Sequence, residues 1–236
     1  MPPYRWVFFD LFDTLCTVDE DVYYEGKRAS AEVAGLDYES FLAAWTSTSQ
    51  EASVGKLKTP YARAEQALAK LAVSDRHVVA EVARLDVETI QACVRYYEGA
   101  QDALRTLRER GFSLGLISNA TATTAFAIGP LGLRNMLDTL VFSYEVGATK
   151  PDPAIYRTAF QRSGCPPRSG LFIGDGANRE LDAARSLGMD TLCMDHPFKA
   201  HTFRNPETDS DPSHPAVHSY DELLSLPILR EPASDA

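Results

Sequence analysis

The chain has 236 residues, 44% hydrophobic and 24% charged, with 23 Lys plus Arg against 33 Asp plus Glu and a formal net charge of −10. That composition excludes collagen-like, low-complexity and wholly disordered chains, and the acidic balance argues against general binding to nucleic acid or anionic membranes. The length fits one large domain, or a core with a smaller insertion.

The first apolar run, Trp6-Val7-Phe8-Phe9, stops at Asp10. It reads as a buried strand and is too short for a signal-peptide core. No apolar stretch reaches the roughly 18–20 residues of a membrane helix, so the expected location is the cytoplasm. From about Thr17 to Tyr96 only helical periodicity is visible, with candidate helices at 21–34, 38–49, 60–71 and about 75–96. Thr59-Pro60 marks a helix start. Beyond it, 100–110 reads as a helix stopped by Gly111, and Asp152-Pro153 opens another through about residue 163. A third spans 178–187 and is closed by Gly188. Further strands are expected at 113–117, 139–142, 171–173 and 191–194. Residues 196–215 read as a polar surface loop, in which His196, His201 and His214, like the following His218, lack any metal-ligand spacing. A short helix at 220–226 closes the fold, and 231–236 reads as a frayed tail. Cys16, Cys93, Cys165 and Cys193 form no CxxC or Cys/His pattern and are expected to be reduced, mostly buried thiols.

Strands alternating with helices predict an α/β protein whose parallel sheet is covered on both faces. Residues 1–16 and 97–230 form the discontinuous core in this reading, and residues 17–96 an inserted helical domain. Trp45 and the Tyr96-Tyr97 pair are expected to pack its helices and hinge.

What ends each apolar run points to chemistry. The first ends at Asp10, the second at Ser118-Asn119; Lys150 follows the third in GATKPDP, and the fourth runs into Gly174-Asp175 and GANRELDAA. In an open parallel sheet the carboxyl ends of the strands line one crevice. A strand-end Asp or a Ser-Asn pair alone is often only a turn, but four such endings in order converge on one site. There Asp10 can act as a nucleophile forming a covalent intermediate. Lys150 can supply positive charge against an anionic phosphoryl group, and Ser118 with nearby N–H groups can bind its oxygens. Asp175 and Glu180, at a strand end and the next helix start, can face one ion, and an all-oxygen set suits Mg²⁺.

FFDLFDTL, LISNA, GATKPDPAIY and FIGDGANRELDAA resemble, in order, the four motifs of the haloacid dehalogenase (HAD) superfamily. The resemblance covers roughly residues 5–15 and 97–195. It implies a three-layer Rossmannoid core with an inserted helical cap, here 17–96. It implies Asp10 as nucleophile, Ser118 and Asn119 as substrate contacts and Lys150 as charge stabiliser, with Thr14 of the first motif joining the expected contacts. It also implies Mg²⁺ held by Asp10, the Phe12 carbonyl and the acidic motif of Asp175 and Glu180. Phosphatases of the superfamily carry a second Asp two residues after the nucleophile, which protonates the leaving group. Phe12 stands there instead, and the neighbouring Asp13 occupies a slot that is usually Gly. Haloacid dehalogenases also lack that Asp and need no metal, but they tend to lack the acids of the fourth motif. Phosphonatases use a cap lysine, for which Lys56 and Lys58 are available, although both read as solvated loop residues. Asp182 is expected on the exposed side of its helix.

The resulting expectation is a Mg²⁺-dependent hydrolase acting on a small, anionic, phosphorylated metabolite, with altered acid catalysis at Phe12. The alternatives are a metal-independent 2-haloacid dehalogenase-like hydrolase and a catalytically impaired HAD-fold binding protein. Neither nucleic acid nor membrane is expected as a partner, and oligomeric state is not legible.

Overall fold

The computed structural model describes residues 4–200 and 208–232. His201 and residues 233–236 of the expected tail lie outside that range. In chain order, β1 (Trp6–Phe9) leads through β2 (Cys16–Val18) into five helices, α1 (Glu20–Val33), α2 (Tyr38–Thr46), α3 (Ser49–Ser53), α4 (Pro60–Ala69) and α5 (Arg76–Cys93). The chain returns through β3 (Val94–Tyr96) to α6 (Ala100–Glu109), β4 (Ser113–Ser118), α7 (Ala122–Ala127), α8 (Leu133–Met136), β5 (Thr139–Phe142), α9 (Ser143–Val146) and α10 (Pro153–Ser163). It ends with β6 (Gly170–Gly174), α11 (Glu180–Ser186), β7 (Asp190–Met194), β8 (Ala216–Val217) and α12 (Tyr220–Ser225).

Six strands form a parallel sheet in the order β5-β4-β1-β6-β7-β8. β1 is central, and its run of apolar side chains is what a strand buried on both faces requires. Val7 and Phe9 enter one apolar cluster with Leu104 and Leu107 of α6 and Leu223 of α12. Phe8 enters the other with Ile155, Tyr156 and Ala159 of α10 and Ala184 of α11. The period of two along β1 therefore creates both helical layers. The chain moves from β1 outward to β4 and β5, then crosses to β6, β7 and β8 on the other side. Loops leaving β1 and its neighbours diverge there, opening a crevice at the carboxyl end of β1.

Helices α1, α2, α4 and α5 share a separate apolar cluster that includes Phe41, Trp45, Leu68, Val79 and Val82. Helices of this length are marginal alone, so burial of that cluster holds them, at about 1.5–3 kcal/mol for each large apolar side chain. Asp19, Asp37, Thr59 and Asp75 cap the N-termini of α1, α2, α4 and α5. Gly26 lets α1 approach α5: a Cβ there would lie 2.0 Å from Thr89 Oγ1.

Several local expectations are corrected. The stretch 17–96 is not purely helical, because β2 and β3 pair antiparallel at its two ends, Cys16 opposite Tyr96 and Val18 opposite Val94. The helix expected through residue 96 stops at Cys93, where Val94 and Tyr96 pair with β2 instead. The helix expected at 178–187 begins only at Glu180, since Asn178 and Arg179 adopt left-handed conformations (φ 54° and 51°). Described residues of the stretch 196–215 are anchored rather than only superficial. Buried His196 stacks on Tyr97 at 3.7 Å and bonds the Thr14 carbonyl at 3.0 Å. Buried His214 bridges Thr191 Oγ1 at 2.7 Å and Asp182 Oδ1 at 2.9 Å, so Asp182 is half-buried and engaged. The four cysteines are free thiols, with Cys16, Cys93 and Cys165 buried. Among the described residues no helix is long and apolar enough to cross a membrane.

Candidate active site

Asp10 follows β1 directly, and its N–H still donates to Ile173 of β6 at 2.9 Å, so the sheet ladder fixes its backbone. Asp175 likewise follows β6 directly, and Glu180 opens α11. Carboxylate oxygens of Asp10, Asp175 and Glu180, all three residues buried, lie within 4.8 Å of one another. The Lys150 ammonium is buried beside them and donates to both Asp10 and Glu180. Glu180 Oε1 also accepts from Gly176 N at 3.2 Å, and Asp175 Oδ1 from Ala177 N at 3.1 Å.

Charge makes this cluster unusual. Burial alone would lower the Lys150 ammonium, but the facing Asp10 and Glu180 carboxylates outweigh it and raise its pKa. Burial pushes the Glu180 carboxyl up to about 7, with Lys150 pulling it down and Asp10 pushing it up. Three buried carboxylates thus crowd together beside the Lys150 ammonium, with the Lys199 ammonium 3.3 Å from the Asp175 carbonyl, and carboxylates this close favour a cation among them. Asp10, Asp175 and Glu180 form an all-oxygen, acidic donor set whose spacing fits a divalent cation such as Mg²⁺.

Asn119 acts on Lys150 from the side. Its Oδ1 accepts from Lys150 N at 2.7 Å and its Nδ2 donates to Lys150 O at 3.2 Å, clamping the lysine's backbone to the end of β4. Asn119 also lines the small cavity at the cluster, about 50 Å³, together with Phe12, Asp13 and Asn178. Ser118 is fully buried and, like Thr14, is not among the residues lining this cavity or the larger one described next. Thr14 Oγ1 is enclosed without a hydrogen-bond partner, while its carbonyl accepts from Tyr220 Oη at 2.5 Å.

Asp13 occupies its glycine-like slot with φ 53°, and its Oδ1 accepts from Tyr97 Oη at 3.0 Å and Ala200 N at 2.9 Å. Those bonds tie it to the start of α6 and the segment after β7. Phe12 is half-buried and lines both cavities at their junction. The larger cavity, about 440 Å³, runs from Lys150 and Asn119 to Tyr23, Trp45, Arg63 and Asp86 of the helical unit. Lys56 and Lys58 are exposed and line neither.

The helical wall was not legible from motifs. Buried Lys27 of α1 pairs with buried Asp86 of α5, and its ammonium sits 4.2 Å from the Trp45 ring centroid. A signal for them does exist: Tyr23, Lys27 and Ala31 share one helical face, as do Val79, Val82, Ala83, Asp86 and Ile90. A charged residue on an otherwise apolar stripe marks a buried polar pair.

A fold of this topology with acidic groups and a lysine at the strand ends defines a hydrolase of the haloacid dehalogenase type. The family model for haloacid dehalogenase-like hydrolases matches residues 4–188, and the chain belongs to that family. A bovine (Bos taurus) haloacid dehalogenase-like hydrolase domain-containing protein 3 is 34% identical over 100 residues, 42% of this chain and 40% of that protein. The pyrimidine 5'-nucleotidase YjjG of Escherichia coli (strain K12) is 27% identical over 216 residues, 86% of this chain and 89% of that enzyme. Among the first curated relatives, the match spans between 40% and 62% of their own length. The crystal structure of an L-2-haloacid dehalogenase superposes with a TM-score of 0.66 at 21% identity, covering 93% of this chain and 97% of that one. At that identity the likeness concerns the fold.

Proposed function

We propose that the protein is a Mg²⁺-dependent hydrolase of small phosphate monoesters, with Asp10 as nucleophile. The observation that carries this reading is the buried trio of Asp10, Asp175 and Glu180, whose carboxylate oxygens lie within 4.8 Å of one another beside the Lys150 ammonium. A dehalogenase attacking carbon has no use for that cluster of carboxylates, whereas a cation site does. Phosphatase and nucleotidase relatives support the same direction.

In this reading Asp10, Asp175 and Glu180, with the Phe12 carbonyl, hold Mg²⁺, which supplies charge stabilisation for the phosphoryl oxygens. The Asp10 carboxylate attacks phosphorus, forming an Asp10 oxygen–phosphorus bond as the bond to the leaving oxygen breaks and that oxygen takes a proton from solvent; water then attacks the phosphorus, releasing inorganic phosphate and restoring Asp10. Lys150 stabilises the charge on the transferring group, held in place by the Asn119 clamp. Ser118 and Thr14 remain proposed phosphoryl contacts. Asp13 is committed to Tyr97 and Ala200, so the leaving group finds no obvious acid at Phe12. Good leaving groups are therefore favoured. Residues 17–96 are read as a cap domain inserted into a core of 1–16 and 97–230, closing the crevice over its substrate. The free thiols fit a reducing, cytoplasmic setting.

The test is a screen of phosphate esters and 2-haloacids with Mg²⁺ or excess chelator. Phosphate release by the wild type should require Mg²⁺ and vanish in Asp10→Asn. Turnover surviving that substitution would sink the mechanism. Phe12→Asp should raise hydrolysis of an ordinary alkyl phosphate by about 10-fold or more, up to the roughly 10²–10⁴-fold that general acids supply. Phe12 itself favours a second reading, a metal-independent dehalogenase, whose signature is halide release undiminished in chelator.

A further inference from the structure

Two of the three clustered carboxylates hang on one short turn. Asp175 and Glu180 are joined by residues 176–179, in which Gly176, Asn178 and Arg179 all have positive φ (90°, 54° and 51°). Left-handed conformations at Asn and Arg cost energy and persist only where the surroundings hold them. Glu180 has no slack either, since a Cβ added at Gly174 would lie 2.0 Å from its Oε1. The contacts that hold this turn come from a segment belonging to none of the four motifs.

Ser210, half-buried and lining neither cavity at the site, bonds both ends of the turn. Its N–H donates to the Gly176 carbonyl at 2.8 Å, and its Oγ accepts from Leu181 N at 3.1 Å. The first bond lies one residue after Asp175 and the second one residue after Glu180. Arg179, which precedes α11, supplies no side-chain cap, so the Ser210 hydroxyl takes that role from outside the helix. The segment carrying Ser210 is itself fixed. Asp211 N donates to both Asp182 oxygens at 3.3 Å, and the buried His214 ring bridges Asp182 and Thr191 of β7. Asp10, by contrast, is set by the sheet ladder. The spacing of Asp175 from Glu180, and of both from Asp10, thus depends on Ser210.

We propose that Ser210 is a positioning residue for the divalent cation, holding Asp175 and Glu180 at the separation that Mg²⁺ requires. This rests on the Mg²⁺ reading of the cluster. Mg²⁺ demands near-ideal octahedral geometry, whereas Ca²⁺ accepts a looser and more variable set of oxygens. Freeing the turn at one end therefore penalises Mg²⁺ more than Ca²⁺. A contact that served folding alone would leave that preference unchanged.

The experiment titrates Mg²⁺ and Ca²⁺ separately into the metal-free chain by calorimetry, and follows hydrolysis of 4-nitrophenyl phosphate against Mg²⁺ concentration. Ser210→Ala should weaken Mg²⁺ binding by about tenfold, at the lower end of what losing an outer-shell partner costs a metal site. Ca²⁺ binding should weaken by about threefold or less. Half-activating Mg²⁺ should rise by about tenfold while kcat at saturating Mg²⁺ stays within about twofold, as for a loss of binding rather than of transition-state contacts. Ser210→Thr keeps the hydroxyl and should restore the wild-type Mg²⁺ affinity. Ser186→Ala, at the far end of α11, should alter the binding of neither ion. Circular dichroism and melting without metal confirm the fold of each variant. Should Ser210→Ala not fold, Ser210→Cys, whose thiol is a weak acceptor, decides by the same readings. Unchanged Mg²⁺ binding in the folded variant overturns the proposal, as does an equal loss for both ions or no recovery in Ser210→Thr. If the wild type binds Mg²⁺ without turnover, calorimetry alone judges Ser210. A wild type that binds no Mg²⁺ overturns the metal reading and this proposal together, whereas normal wild-type binding with no difference in Ser210→Ala overturns this proposal alone.

Discussion

Two buried lysines divide the molecule's chemistry between them. Lys150, at the carboxyl ends of the strands, faces Asp10 and Glu180 with Asp175 close by, so several carboxylates gather at one point. Lys27, within the helices, pairs one-to-one with Asp86 and is enclosed by the Tyr23 and Trp45 rings. The first arrangement is suited to gathering a cation and an anionic reacting group. The second is a buried pair that ties α1 to α5. A buried carboxylate is therefore uninformative until its counter-charges are counted.

That contrast can be broken at either end. Asp10→Asn is expected to have the largest effect, a loss in turnover of about 10⁴-fold or more, because a nucleophile has no partial substitute. Lys150→Met should lower turnover by about 10²–10³-fold, and denaturant unfolding should show a loss of about 3 kcal/mol, since two buried carboxylates lose their ammonium. Lys27→Met should cost about 3–5 kcal/mol of stability through the uncompensated Asp86 carboxylate. Adding Asp86→Leu to Lys27→Met should recover much of that cost, because the helical pair can be replaced as a unit. Failure of the double variant to recover would show that the pair does more than neutralise itself. The smallest effect is expected for Arg84→Ala. Its pairs with Glu81 and Glu88 are half-exposed, so thermal melting should report a change within about 0.5 kcal/mol.

The difference between the two regions also explains what could be read before any coordinates. Asp10 and Asp175 directly end apolar runs, which a parallel sheet brings together, while Lys150 and Glu180 follow β5 and β6 in polar motifs that the sequence also displays. Asn119 was legible as a polar strand-end residue, but its clamp on Lys150 depends on where the chain after β5 returns. Strands β2 and β3 were missed because each is three residues long and gains its conformation only by pairing with the other across the helices. His196 and His214 were expected in a surface loop because their neighbours are polar, yet each is buried by partners far away in sequence.

The sequence by itself therefore determined the alternation of strand and helix, the parallel sheet, the family resemblance and the acidic residues and lysine at the strand ends. These rest on local patterns: apolar runs, caps and the residues that terminate them. Tertiary structure alone decided the pairing of Lys27 with Asp86, the tie of Ser210 to the turn after β6, and the commitment of Asp13 to Tyr97. Those contacts join groups from separate elements, and the packing of the elements, which no local pattern encodes, sets which polar groups meet.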